Sequence, residues 1–146
     1  MDLKQEIPYS IPTDTIIVKD GASADFCNYM GNYKNVLYVC DENTKNLINI
    51  NGEKLVLPAD TKPTIALATA LPDGFDVYAA IGSGTINDIV KYASFIHGKP
   101  YAVFATAASM NGYASGNSSL LDDGYKKSFT AQPPKAIFMD IDVIAN

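Results

Sequence analysis

Six short apolar runs are spaced along the chain so that each gap holds one helix or one long loop. They are TIIVK at 15–19, NVLYVC at 35–40, EKLVL at 53–57, DVYAAI at 76–81, YAVFA at 101–105 and AIFMD at 136–140. Their Val, Ile and Tyr content marks them as strands. The gaps predict helices over about 22–31, 42–49, 63–70 and 85–97. The last is the clearest: Ile86, Ile89, Val90, Ala93 and Ile96 share one face, and Gly98 and Pro100 follow as stop signals. Strands alternating with helices form parallel βαβ units, whose right-handed crossovers put helices on both faces of one sheet.

The pattern changes after residue 105. SSLLDDGYKKSF at 118–129 reads as two strands around Asp123-Gly124, a favoured tight-turn dipeptide. The 146 residues suffice for one domain with a proper core and not comfortably for two. The fold class is therefore α/β: a Rossmann-like, mostly parallel sheet of about six strands flanked by helices, with a late β-hairpin.

Charge narrows the partners. With 16 acids against 11 bases the formal net charge is −5, and no basic run exceeds Lys126-Lys127. A nucleic-acid surface needs clustered Lys and Arg, so nucleic acid is an unsuitable partner. A small anion needs no such cluster, since backbone N–H groups hold phosphate unaided. No stretch has the length and apolarity of a signal peptide or a bilayer span, which excludes a membrane and points to the cytoplasm. Cys27 and Cys40 have no metal-ligand spacing. Cys40 lies in an apolar run and reads as a small buried hydrophobe in a disulfide-free protein.

Between the run at 76–81 and the helix at 85–97 stands Gly82-Ser83-Gly84. In an open α/β sheet, ligands sit beyond the carboxyl ends of the strands, where loops turn into helix N-termini. Glycines let the backbone approach an anion. Ser83 and Thr85 can add hydroxyl donors, and Asn87 and Asp88 can orient the loop or reach a ribose or nicotinamide. The GxGxxG fingerprint would require a third glycine where Asn87 stands, and an acid about twenty residues downstream. Here the best acid, Asp41, precedes the loop at the end of the second strand. That order works if an adenosine lies over the second strand and a pyrophosphate over the fourth. A plain βα turn capped by Ser or Thr is the alternative reading of the same residues.

With GSGTINDIVKY, TAASMNGYAS and TAQPPKAIF taken together, the chain resembles the N-terminal half of the sn-glycerol-1-phosphate dehydrogenases. These belong to the superfamily of glycerol dehydrogenase, iron-containing alcohol dehydrogenases and dehydroquinate synthase. The resemblance covers most of the chain and is strongest over 76–146. It implies a nicotinamide dinucleotide in a cleft between two domains, with hydride exchanged with a glycerol-phosphate or dihydroxyacetone-phosphate type of substrate. It implies Asp41 on the adenosine ribose, Gly82, Ser83, Gly84, Thr85, Asn87 and Asp88 around the pyrophosphate, and Thr106, Ser109 and Ser115 along the cofactor. An acid at Asp41 disfavours a 2′-phosphate, so NAD is expected ahead of NADP.

Two positions depart from the family pattern. Asn111 stands where the family usually has a substrate-contacting Asp, keeping the hydrogen-bonding shape but not the charge. The family metal, zinc or another divalent ion, is held by one Asp and two His of a helical second domain. This chain has one histidine, His97. It is expected to be a piece cut before that domain, with no metal site and no catalytic residue of its own, and so to bind cofactor weakly without turnover. Surface left by the missing domain would favour homo-oligomers.

The remaining candidates have structural readings. His97 sits where a helix C-terminus favours an imidazolium. Asp140 and Asp142, two apart on an extended segment, would share a face and either form half a metal site or end a strand and cap the next helix. Asp122-Asp123 is turn chemistry, and Ser109 and Ser115 have no base for nucleophilic catalysis. Two functional alternatives stand behind the dehydrogenase reading: a stand-alone nucleotide- or phosphate-binding module, and a lyase of the dehydroquinate-synthase type.

Overall fold

A computed structural model describes residues 13–107 and 110–145. All six expected strands form, as β1 (Thr15–Lys19), β2 (Val36–Asp41), β3 (Glu53–Leu57), β4 (Val77–Gly82), β5 (Tyr101–Ala105) and β8 (Ala136–Asp140). They pair throughout in parallel, in the order β1-β8-β5-β4-β2-β3. β6 (Asn117–Asp122) and β7 (Tyr125–Thr130) form the expected antiparallel hairpin as a separate two-stranded sheet. Asp123 and Gly124 occupy its turn with φ of 51° and 81°, the left-handed conformation that a two-residue hairpin needs.

Among the described residues five helices accompany the strands: α1 (Ala22–Met30), α2 (Ile65–Ala70), α3 (Gly84–Ile96), α4 (Met110–Ala114) and α5 (Ile141–Ala145). Strand side chains alternate between two separate cores. Val77, Ala79 and Ile81 join Phe26 and Met30 of α1, while Tyr78 and Ala80 join Ala68 of α2 and Ile86, Ile89 and Val90 of α3. The sheet is thus buried on both faces, and its central strands tolerate only apolar or small residues.

Three expectations require correction. The segment 42–49 is a run of turns, not a helix. The Asp41 carboxylate accepts the N–H groups of Asn43 and Thr44 through Oδ1 and closes the backbone into a turn. Such side-chain bonds compete directly with helix formation. Ile96 is 41% exposed and leaves the buried face of α3, where polar side chains stand instead. Asp140 and Asp142 do not share an extended segment, since Asp140 ends β8 and Asp142 lies in α5.

Asp140 serves two helix starts. Its Oδ1 accepts the N–H of Gly21 at the head of α1 and of Asp142 in α5, and its Oδ2 accepts from Ser23. The carboxylate is 4% exposed and ties the first helix to the last strand. Replacing Asp140 by Ala should lower the unfolding free energy by about 2 kcal/mol, the upper range for losing a helix cap. Urea denaturation of the two proteins measures it; an unchanged midpoint would refute the role.

Candidate functional site

β2, β4 and β5 are neighbours, and their register is level. Val39 pairs with Ala80 and Gly82 with Ala105, so Asp41, Gly82 and Ala105 reach the carboxyl edge of the sheet side by side, with Thr106 one residue beyond. Adjacent strands lie about 4.8 Å apart. The connections leaving β2 and β4 go to opposite faces. Ile48 and Ile50, after β2, pack with α1, whereas α3, after β4, packs on the other side. Two neighbouring strands whose connections diverge open a crevice at their carboxyl ends, the usual ligand position in such sheets.

The glycine segment is tighter than expected. β4 runs through Gly82 and α3 begins at Gly84, so Ser83 alone forms the connection. Ser83 is the helix N-cap residue, yet its side chain makes no capping hydrogen bond, and the first turn of α3 contains no acid. α2 differs, since its cap Thr64 accepts the N–H of Leu67 through Oγ1 at 3.1 Å. Among the described residues no side chain caps the first N–H groups of α3, and these groups form the positive end of the helix dipole.

The two glycines do different work. A Cβ on Gly82 would lie 2.9 Å from Ile86 Cγ1, inside the contact distance, whereas a Cβ on Gly84 would meet nothing within 4 Å. Gly82 is required by the packing of the helix on the strand. Gly84 faces open space, so the fold itself does not demand a glycine there. The Gly82 carbonyl is held by the N–H of Thr106 at 3.1 Å and by the Tyr113 hydroxyl at 3.3 Å. That hydroxyl also accepts the N–H of Ala107. Burial raises the Tyr113 pKa, partly offset by the N–H groups of Ala107 and Thr106, so the phenol stays protonated as a donor.

Asp41 is tied to the same edge. Its N–H donates to Thr44 Oγ1 at 3.0 Å, and that hydroxyl lies 2.9 Å from the Ile81 carbonyl and 3.1 Å from Asp41 Oδ1. Thr44 thus bridges the ends of β2 and β4. Oδ1 is committed to the turn, while Oδ2 makes no hydrogen bond among the described residues.

Three predicted site residues point elsewhere. Asn87, 1% exposed, accepts from the Tyr101 hydroxyl at 2.8 Å and donates to the Gly112 carbonyl at 3.2 Å. Both ends of its amide are used inside the protein. Asp88 faces the hairpin, where the N–H of Ser119 reaches its carboxylate and the Ser118 hydroxyl donates to its backbone carbonyl. Desolvation raises its pKa against that N–H and the charges of Lys91 and Lys126. Ser115 Oγ lies 3.4 Å from Lys91 Nζ and donates to the Asn117 carbonyl. Ser109 lies outside the described residues, as does the side chain of Asn111.

Lys91 was not anticipated. It is fully buried, and its ammonium donates to the carbonyls of Ser115 at 2.6 Å, Gly112 at 3.3 Å and Asn117 at 3.3 Å. Desolvation pulls its pKa down to about 8, against the opposing pull of Asp88. The signal was present in the spacing. Asn87, Lys91 and Ser94 recur at intervals of four and three, which puts them on one side of α3. All three are buried, and Ser94 Oγ accepts from Gln132.

The sequence model of the iron-containing alcohol dehydrogenases matches residues 18–146. The chain belongs to that family. Among curated relatives, the glycerol-1-phosphate dehydrogenase [NAD(P)+] of Bacillus subtilis is 29% identical over 92% of this chain and 39% of its own length. That of Pyrococcus horikoshii is 48% identical over 44% of this chain and 19% of its own. The fold agrees with a probable glycerol dehydrogenase from Sinorhizobium meliloti, with a TM-score of 0.76 at 16% identity over 91% of this chain and 41% of that one. It also agrees with an iron-containing alcohol dehydrogenase from Thermotoga maritima, with a TM-score of 0.72 at 15% identity over 92% and 47%. The chain thus spans less than half the length of these relatives and solved structures.

Among the described residues no three of His, Cys, Asp and Glu gather in a way that could hold a metal ion, so no step through a metal is derived from them. Both cysteines are free, Cys40 buried and Cys27 exposed. No helix of the described residues is long and apolar enough to cross a membrane. His97 is a packing residue: its ring stacks on Tyr78 and its Nε2 lies 3.0 Å from the Leu71 carbonyl.

Two outcomes follow. Gly82→Ala should lose about 1–3 kcal/mol of stability through overpacking against Ile86, while Gly84→Ala should be neutral or gain up to about 1 kcal/mol. Equal losses in denaturant melts would contradict the assignment. Lys91 binds fewer protons folded than unfolded between pH 8 and its ordinary range near 10.5. Its contribution to stability therefore rises with pH across that window. The unfolding free energy of wild type minus that of Lys91→Met should climb from pH 7.5 to 9.5; a flat difference would contradict the lowered pKa.

Proposed function

We propose that this chain is the dinucleotide-binding domain of a metal-dependent dehydrogenase acting on glycerol phosphate or a similar polyol phosphate or ketone. The observation that carries the reading is the uncapped α3 N-terminus over Gly84, open to space and flanked at strand spacing by Asp41 and Thr106. Laid along that row, an adenosine ribose meets Asp41, a pyrophosphate meets the N–H groups at Ser83 to Thr85, and a nicotinamide comes over the end of β5. The bound nicotinamide supplies the hydride chemistry. The chain's own residues bind and orient: Thr106 and Ser109 line the cofactor, and Asn111 offers an amide to the substrate. The names of the curated relatives support glycerol 1-phosphate as the type of substrate. Among the described residues no cluster of His, Cys, Asp and Glu could hold a metal ion, and we propose cofactor binding by this chain without turnover.

Asp41 sets the cofactor preference. Oδ1 holds the turn, and Oδ2 is placed for a ribose hydroxyl, where a 2′-phosphate would meet a like charge. Asn in its place keeps the turn acceptor and removes the charge. The test is calorimetric titration of the chain with ADP-ribose, NADH and NADPH, in wild type, Gly84→Val and Asp41→Asn. ADP-ribose should bind wild type and lose at least about tenfold in affinity, some 1.4 kcal/mol, in Gly84→Val with no loss of stability. Asp41→Asn should narrow the preference for NADH over NADPH. ADP-ribose binding that ignores Gly84→Val would remove the pyrophosphate from this helix, and turnover of dihydroxyacetone phosphate with NADH would remove the claim of inactivity.

A further inference from the structure

The residues expected to meet the nicotinamide and substrate end, 106–111, run into a short helix, α4, and a bend at 115–116 leads from it into the hairpin. α4 has only five residues, too few to be stable alone, since helix formation carries a costly nucleus. Its end lies where the Lys91 ammonium collects the carbonyls of Gly112, Ser115 and Asn117. Carbonyls at a helix C-terminus lack intrahelical donors, and a cation there is favoured by the helix dipole. Asn87 donates to the same Gly112 carbonyl, and the Tyr113 hydroxyl fixes the next residue to Gly82. Three anchors thus tie this segment to α3 and to the end of β4, the two elements that carry the glycines.

We infer that Lys91 is a positioning residue: it caps α4 from the neighbouring helix and thereby holds 112–117 in register with the anion-facing start of α3. It touches neither cofactor nor substrate. Its effect on binding passes through the backbone it gathers, and that part of the inference rests on the dinucleotide reading above. A buried lysine is a costly way to fill a helix interface, because desolvating an ammonium is unfavourable. A methionine of similar length would pack the same space without the charge. What it would not do is satisfy three carbonyls at once, which an ammonium with three N–H donors does. The groups that face this ammonium are Asp88 one turn before it on α3 and, beyond Asp88, Lys126 of β7; Tyr101 of β5 meets Asn87.

The test begins with wild type. In ¹H–¹⁵N spectra near pH 6.5 one lysine ammonium should be visible through slow proton exchange, and Lys91→Met should delete it. Amide hydrogen exchange of Lys91→Met should then show at least tenfold faster exchange over 112–117 with little change over 84–87 of α3. Lys91→Gln, which keeps two N–H donors, should fall between and serves if the Met variant does not fold. In calorimetry the Met variant should raise the Kd for NADH by roughly tenfold, the cost of re-ordering several residues on binding, and change ADP-ribose much less.

Absence of the protected ammonium, or unchanged exchange over 112–117, overturns the inference. So does faster exchange with NADH binding unchanged, which would reduce Lys91 to a structural contact. If wild type binds neither ligand, the dinucleotide reading fails, and the exchange data still decide whether Lys91 holds the segment.

Discussion

Because β2, β4 and β5 run parallel and pair in level register, Asp41, Gly82 and Ala105 end in one row. In an antiparallel arrangement these ends would alternate between the two edges of the sheet, and no such row would exist. The right-handed crossover rule then acts on the row. The connection leaving β2 lies on the α1 face and the helix leaving β4 on the other, so the chain parts between strand ends about 4.8 Å apart, the usual ligand position in such sheets. Everything assigned to the candidate site hangs from that pairing. Thr44 reinforces it, since its single hydroxyl touches the last turns of both strands.

Much of this was readable from the amino acids. All six strands, the hairpin and three of the four expected helices stand within a residue or two of their predicted places, because short apolar runs and a 3.6-residue period are strong local signals. The failure at 42–49 is equally local in origin. Asp41 and Thr44 satisfy each other's backbone in a turn, and that alternative leaves no trace in hydrophobic periodicity. The glycine segment was placed correctly, but its division of labour was not visible. Only the packing of Ile86 over Gly82 separates a glycine the fold needs from one it does not.

Asn87 and Lys91 show a different limit. A polar residue on an amphipathic helix is ordinarily assigned to solvent or to a ligand, and Asn87 was assigned to the ligand. Both are instead buried against the 112–117 segment. The sheet strands place α3, yet α3 also has to carry a stretch whose backbone is too irregular to satisfy itself. Carbonyls without ladder partners need donors from side chains. Lys91 and Asn87 on the inner face supply them.

One helix therefore meets two opposite electrostatic demands. Among the described residues its N-terminus has no side-chain cap and no acid in the first turn, which suits an anion. Asp88, the first acid of α3, is turned to the hairpin, where the Ser119 N–H and the charge of Lys91 hold it. Were that carboxylate at the helix start, it would compete with a phosphate for the same N–H groups. Placed one turn further on, it supports the Lys91 ammonium and leaves the start of the helix free. Half-buried Asp88, drawn towards the buried Lys91, thus keeps negative charge away from the place where a ligand would bring its own. The same helix in this way links the glycine turn after β4 to the segment beyond β5.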